Sequence, residues 1–261
     1  MKLLSRILSS IATIALLIGS APAQTLAPKP ESAPNPAPAQ TPPAEVKAAG
    51  ADAAPVRHAR LKYTPPKNAA AGTRVDGDGG SRGGGAKQPL LYVLSPDHTG
   101  LTTHSHPTLF WYQSGPATTR FELTVVEPKK AKPVLKVATA EAKEPGIHRL
   151  LLGKYNITLT PGILYRWTVA LVPDPADRSQ DVIANGTIQC IEPDAPLTAA
   201  LANANGLDKA ALYAEKGFWY DALEAVTDEI NAAPTDKEIR LQRAALLDQA
   251  GLKIAAASER K

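Results

Sequence analysis

A long stretch of the N-terminal third is too poor in apolar residues to build a core. From Gln24 to Lys67 the chain consists mainly of Pro, Ala and charged residues, and Tyr63 is the only aromatic side chain there. A Gly-rich run follows at residues 77–85. This composition buries too little apolar surface to offset the entropy of ordering the backbone. We therefore predict a disordered tether over residues 24–87.

The first 23 residues have the layout of a secretory signal peptide. Lys2 and Arg6 form a positive start, an apolar run covers residues 11–18, and residues 21–23 read Ala-Pro-Ala, as at a cleavage site. The apolar run is shorter than the roughly 20 residues that cross a membrane. The sequence predicts a signal peptide over 1–23, a periplasmic or secreted location, and no transmembrane segment after cleavage.

Charge is distributed unevenly along the chain. The formal net charge of +4 divides into +2 in residues 1–23, +4 in residues 24–87 and −2 in the remainder. Two roles stay open for the basic tether, namely contact with anionic envelope polymers or lipid headgroups and a plain solvated spacer. The nearly neutral remainder argues against nucleic acid as a partner.

Seven short runs between residues 89 and 191 have the composition of β-strands. They are rich in β-branched and aromatic residues, and Pro, Gly, Asp and Asn clusters separate them. The runs are residues 90–94, 108–112, 121–125, 134–137, 147–152, 164–172 and 182–191. Their number and spacing predict an antiparallel β-sandwich of the immunoglobulin or fibronectin III type over residues 88–193.

One block sharpens the sandwich prediction. Residues 159–169 resemble the turn and penultimate strand of fibronectin type III-like sandwiches, in which a tyrosine hydroxyl bonds to the corner backbone. Tyr165 is the matching residue, and we expect Trp111 and Trp167 to pair between the sheets. Cys190, the only cysteine, cannot form an intramolecular disulfide, and its apolar neighbours predict a buried thiol.

After Pro193 and Pro196 the apolar period becomes helical. We predict about three helices over residues 194–261, docked on the sandwich, so that the whole fold is α+β. Residues 211–223, with Pro234 after them, resemble the helix pair of a tetratricopeptide repeat. A single such unit needs a neighbour to cover its apolar face, which is why we expect docking within the chain.

Several blocks together resemble a bacterial exported family, the domain-of-unknown-function (DUF) family nine-twenty-eight. The blocks are residues 79–83 (GGSRG), 101–103 (LTT), 106–108 (HPT), 110–112 (FWY), 165–167 (YRW), 178–181 (RSQD) and 217–223 (GFWYDAL). The likeness runs from about Pro65 to Leu252. It implies an exported bacterial protein and assigns no activity. It also implies that residues 79–83 open the domain.

The sequence contains three patterns that resemble sites. Metal binding by His98, His104 and His106 competes with a role as ordinary loop histidines, since their spacing matches no strong zinc signature. The Gly-rich run lacks the Lys-Ser/Thr ending of a phosphate-binding loop. The acidic loop around Arg178 lacks the calcium-loop pattern and favours a structural pair of Arg178 with Asp181. We therefore predict no catalytic, cofactor or metal residues.

These observations favour a non-enzymatic envelope or periplasmic protein that binds another protein of the same compartment. A carbohydrate- or peptidoglycan-binding module is the alternative, with Tyr112 or Tyr155 stacking on sugar rings. A hydrolase with an unrecognised site is the third hypothesis. After the Gly-rich run, we expect apolar side chains to be consumed in a core that leaves no cluster of reactive groups.

Overall fold

The computed structural model describes residues 60–77, 88–117, 119–139 and 144–261. The predicted signal peptide, residues 24–59 of the predicted tether and most of the Gly-rich run lie outside these residues. The described chain is α+β, with two mostly antiparallel sheets followed by five α-helices.

All seven predicted strands are present, together with one that the sequence analysis missed. The missed strand, β2, has only three residues, Gly-Leu-Thr, and carries no alternating pattern. The eight strands are β1 (Leu91–Val93), β2 (Gly100–Thr102), β3 (Thr108–Gln113), β4 (Arg120–Val126), β5 (Leu135–Thr139), β6 (Gly146–Leu151), β7 (Leu164–Val172) and β8 (Val182–Cys190).

The strands form two sheets with the orders β1-β3-β6 and β2-β8-β7-β4-β5. The prediction of a purely antiparallel arrangement is wrong at one pair, because β2 lies parallel to β8. A parallel pair needs a long connection, and here most of the sheet-forming chain separates the two strands. Side chains from both sheets share one apolar core.

The predicted corner at Tyr165 is confirmed, whereas the predicted tryptophan pair has other partners. The backbone N–H of Thr160 donates to the hydroxyl of Tyr165 over 3.1 Å. The ring of Trp111 packs against Phe121, with ring centroids 5.6 Å apart. The indole of Trp167 instead donates a hydrogen bond to a tyrosine of the helical region.

Residues 60–77, which we call the strap, belong to the folded body. Leu61 and Tyr63 are buried in the core. Gly77 exchanges two backbone hydrogen bonds with Leu91 of β1, and Val75 exchanges two with Asn185 of β8. The boundary predicted at residue 88 is therefore wrong for the strap, because these residues gain apolar burial and backbone partners that composition alone did not indicate.

The C-terminal region contains five helices instead of about three. The predicted first helix is broken because Ala204 and Asn205 are extended and Gly206 has a φ of 51°. The helix that ends before Gly251, as predicted, is followed by one more short helix. The helices are α1 (Ala195–Asn203), α2 (Gly206–Glu215), α3 (Trp219–Ala232), α4 (Lys237–Gln249) and α5 (Lys253–Ser258). None of them, within the described residues, has the length and apolarity of a membrane span.

The first turn of α3 fixes the helical region to the sheets, and we call its first three residues, 219–221, the clamp. Trp219 donates its indole N–H to the backbone carbonyl of Leu94 over 2.8 Å. The hydroxyl of Tyr220 accepts the indole N–H of Trp167 over 2.8 Å. A Cβ atom at Gly100 would lie 2.6 Å from the Tyr220 ring, so the close approach of strand and helix requires glycine there.

Candidate functional site

A polar groove of about 320 Å³ lies where the loop after β2 meets α2 and α3. We call it the helical groove. Seven of the nine residues that line it have ionisable side chains. The lining residues are His104, Gly206, Lys209, Tyr213, Asp221, Glu224, Ala225, Asp228 and Glu229.

Asp221, the third residue of the clamp, is the buried anchor of this groove. It is 1% exposed. One carboxylate oxygen accepts the hydroxyl of Thr102 over 2.5 Å, and the other accepts the backbone N–H of Thr103 over 2.6 Å. Burial raises the pKa of Asp221, while the nearby His104 and these hydrogen bonds act in the opposite direction. The carboxylate thus joins α3 to the end of β2.

His104 lies between two carboxylates at the mouth of the groove. Its Nδ1 is 3.4 Å from Oε2 of Glu224 and 3.6 Å from Oδ1 of Asp221. The hydrogen bond with Glu224 raises the pKa of His104, burial opposes this, and the charge of Asp221 adds to the rise. The geometry therefore favours the protonated, cationic imidazole.

Glu224 completes the cluster one turn along α3. Its Oε1 accepts the hydroxyl of Thr108 over 2.5 Å. Burial works to raise the pKa of Glu224, but hydrogen bonds from His104 and Thr108 outweigh it and lower the pKa. This side chain is therefore an ionised acceptor at neutral pH.

Negative charge exceeds positive charge in the groove. Four carboxylates line it, and Lys209 and His104 are the cations among its lining residues. The carboxylate of Asp228 also binds Arg149 of β6 over 2.6 Å. The groove therefore offers an anionic surface, and the buried carboxylate of Asp221 is held in place by its hydrogen bonds.

We expected no cluster of reactive groups, and the structure brings the ionisable side chains of His104, Asp221 and Glu224 together in this groove. The chain neighbours of His104 do not indicate its partners, which lie on a helix more than 100 residues later. The spacing of Asp221, Glu224 and Asp228, at i, i+3 and i+7, places them on one helix face, and this signal was available in the sequence.

The three histidines considered as metal ligands have separate partners. His98 Nε2 lies 3.1 Å from the hydroxyl of Tyr63. His106 contacts the hydroxyls of Ser105 and Thr158, while His104 faces α3. Within the described ranges, no group of three or more His, Cys, Asp or Glu side chains is placed to hold a metal ion.

The other predicted contacts are local. The pair of Arg178 with Asp181 is confirmed, with 2.6 Å between Nη2 and Oδ2, and Arg178 also binds Glu122 of β4. Cys190 is buried as predicted, and burial raises the pKa of its thiol. Of the two tyrosines suggested for sugar stacking, Tyr112 is buried and Tyr155 is exposed.

Comparisons with known proteins give one strong match. A family model described as "Domain of Unknown Function (DUF928)" matches residues 77–260. No curated protein matches the chain.

Two solved structures show weak similarity. An engineered protein solved at 1.98 Å is 14% identical over 41% of this chain, with a TM-score of 0.28, and this chain covers 21% of its length. A multi-domain immunophilin from Arabidopsis thaliana is 7% identical, with 67% of this chain and 93% of that chain covered and a TM-score of 0.20. These scores are too low to support an argument about fold or function.

Proposed function

The chain belongs to the family described as Domain of Unknown Function (DUF928), which assigns no activity, and we propose from its own geometry that it is a non-enzymatic protein-interaction module of the cell envelope. The family match confirms the resemblance drawn from the sequence blocks. The proposed partner is another envelope or periplasmic protein that presents a cationic segment.

The helical groove is the observation that carries this proposal. The carboxylates of Glu224, Asp228 and Glu229 form an anionic concave surface beside the β2–α3 junction, and Asp221 is buried in its wall. A Lys or Arg side chain of a partner protein has the complementary charge and the length to enter a groove of about 320 Å³. Because Asp221 is held by Thr102 and Thr103, the surface is preorganised and a partner does not have to order it.

The same contacts favour binding over catalysis. Both oxygens of Asp221 and one oxygen of Glu224 accept hydrogen bonds from the sheet side of the groove. No Ser or Cys side chain is among the described residues that line it, so the groove wall offers His104 no serine or cysteine nucleophile to activate. A hydrolase is therefore our third proposal, and loss of a detected turnover in His104→Gln would support it.

The proposed setting rests on features of the sequence. The signal-like residues 1–23 support export, and the basic tether would let the body reach a partner at some distance. For the body, we propose an immunoglobulin-like sandwich, supported by the corner hydrogen bond of Tyr165. For the helices, we propose a tetratricopeptide-like hairpin of α2 and α3, separated by Gly217 with a φ of 83°.

Calorimetric titration with synthetic peptides tests the proposal. We expect a Lys/Arg-rich peptide to bind and a Glu-rich peptide of equal length not to bind, with an affinity that falls as salt is added. Glu229→Gln in the groove should weaken binding about two- to fivefold. Asp174→Asn, in an exposed acidic loop elsewhere, is the matched control and should leave binding unchanged. Equal binding of both peptides would contradict the proposal.

Carbohydrate or peptidoglycan binding is the second proposed function. It is favoured by a separate observation, a cleft between the two sheets that is lined in part by aromatic side chains.

A further inference from the structure

A second cleft opens between the free edges of the two sheets. β5 and β6 are the last strands of their sheets, and the cleft of about 290 Å³ lies beside both. We call it the edge cleft. Its lining combines aromatic and basic side chains, namely Trp111, Phe121, Thr139, His148, Arg149, Leu150, Leu151, Lys154 and Tyr155.

Two nitrogen atoms in the wall of the edge cleft are buried without a hydrogen-bond partner among the residues that the structure describes. They are Nε1 of Trp111 and Nε2 of His148. Trp111 is 4% exposed, so bulk water does not satisfy its indole N–H. A buried polar group left unpaired is costly, and such groups are rare in folded proteins. A ligand hydroxyl is no smaller than water, so it reaches these atoms only if neighbouring side chains move. A ligand that did so would remove that cost.

The two nitrogens belong to residues that face each other across neighbouring strands. Trp111 of β3 pairs directly with His148 of β6, and their rings stack with centroids 5.6 Å apart. The two polar atoms therefore belong to stacked neighbours in the wall of the edge cleft. This juxtaposition suits a single polar group of a ligand better than two distant ones.

The hydrogen-bonding roles of the pair are complementary. The indole N–H of Trp111 can only donate. His148 forms a hydrogen bond with the backbone of Glu144, and this bond favours the protonated form of the imidazole. In the neutral ring, the single N–H proton therefore belongs on the nitrogen that faces the Glu144 backbone. Burial nevertheless lowers the pKa of His148 overall, and the ring is neutral. Its Nε2 is then an acceptor, and the cleft wall holds one donor beside one acceptor.

A hydroxyl group is the smallest group that satisfies one donor and one acceptor together. Saccharides carry hydroxyls on a ring whose C–H face packs on aromatic side chains. Tyr155 supplies such a face at the rim, since it is 38% exposed. The volume is close to the lower end of the 300–1,000 Å³ range of small-molecule pockets and suits one ring.

We propose that the edge cleft binds a saccharide residue, with a hydroxyl between Trp111 Nε1 and His148 Nε2 and the sugar ring against Tyr155. This site deepens the second proposed function, carbohydrate binding, and does not depend on the helical groove. Free sugars and sugar units within a glycan share this chemistry.

Nuclear magnetic resonance of the three indole N–H groups of the full chain tests the site. Trp167 and Trp219 already donate to Tyr220 and Leu94, so only the Trp111 signal is free to gain a partner. We expect glucose or N-acetylglucosamine to shift the Trp111 signal alone. Tighter binding of their β-1,4-linked oligomers would identify a glycan as the source, and equal affinity a free sugar. No shift of the Trp111 signal with any of these probes would overturn the proposal.

Substitutions separate the site from the rest of the molecule. Trp111→Phe and His148→Phe each remove one hydrogen-bonding atom and should weaken sugar binding about tenfold. If either variant fails to fold, Tyr155→Ala at the rim tests the stacking face. Ile163→Ala is its control, because Ile163 is equally exposed, at 37%, and does not line the cleft. Unchanged sugar affinity in Tyr155→Ala would overturn the stacking geometry. A Glu229→Gln variant that lost peptide but not sugar binding would show that the two proposals stand separately.

Discussion

Tryptophan side chains are used in opposite ways at the edge cleft and at the clamp region, by which we mean the clamp together with Trp167, which it contacts. In the clamp region the indole N–H groups of Trp167 and Trp219 both donate, over 2.8 Å each, to Tyr220 and to Leu94. In the edge cleft the indole N–H of Trp111 has no partner within the described part of the chain. All three tryptophans are buried, so exposure to water does not explain the difference.

This contrast separates two uses of buried polar groups. A satisfied group fixes one arrangement of packed elements, as the clamp does for α3 and the sheets. An unsatisfied group costs stability in the free protein, and a ligand that supplies the missing partner recovers that cost. The comparison therefore predicts that substitutions in the clamp affect mainly folding, and substitutions in the edge cleft mainly binding.

Asp221→Ala is expected to have the largest effect. It leaves the hydroxyl of Thr102 and the N–H of Thr103 without their acceptor in a buried site. We expect the free energy of unfolding, measured with urea, to fall by about 3 kcal/mol. Asp228→Ala, on the exposed part of the same helix, should cost less than about 1 kcal/mol. Equal effects would show that Asp221 does not anchor α3.

Three tryptophan substitutions sharpen the comparison directly. Trp→Phe removes the same volume at each site, so differences between the variants in the free energy of unfolding report the hydrogen bond of the indole N–H. Trp167→Phe and Trp219→Phe should each destabilise the protein by about 1–2 kcal/mol more than Trp111→Phe. Urea unfolding of the three variants measures this. An equal or larger loss in Trp111→Phe would mean that its indole N–H has a partner in solution.

The smallest effect is a pH dependence at the mouth of the helical groove. The folded pKa of His104 is raised above 6.5, so its contribution to stability is present below that pH and is lost as pH rises through the folded pKa. The pKa of Glu224 is lowered from 4.5, so its contribution is lost as pH falls. The stability difference between the wild type and His104→Gln should be largest between about pH 4.5 and 6.5. A difference independent of pH would exclude the ion pair.

Local sequence patterns predicted the strands well and the sites poorly. The strand positions and the corner at Tyr165 follow from alternation and turn residues, which act over a few neighbours. The strap carries Leu61 and Tyr63 close to two prolines, and contacts with distant helices and strands order it. The groove brings His104 to Asp221 across more than 100 residues, which no local pattern encodes. The edge cleft depends on strand order, which the sequence left undetermined.

The strap also sets the order in which the body can form. The N–H of Leu61 donates to the side chain of Gln242, 181 residues later, and the N–H of Tyr63 to Gln249, 186 residues later. Contacts between such distant positions are slow to close, because a long loop loses entropy before any contact is gained. A nascent chain therefore keeps its earliest core residues unburied until α4 has emerged from the ribosome.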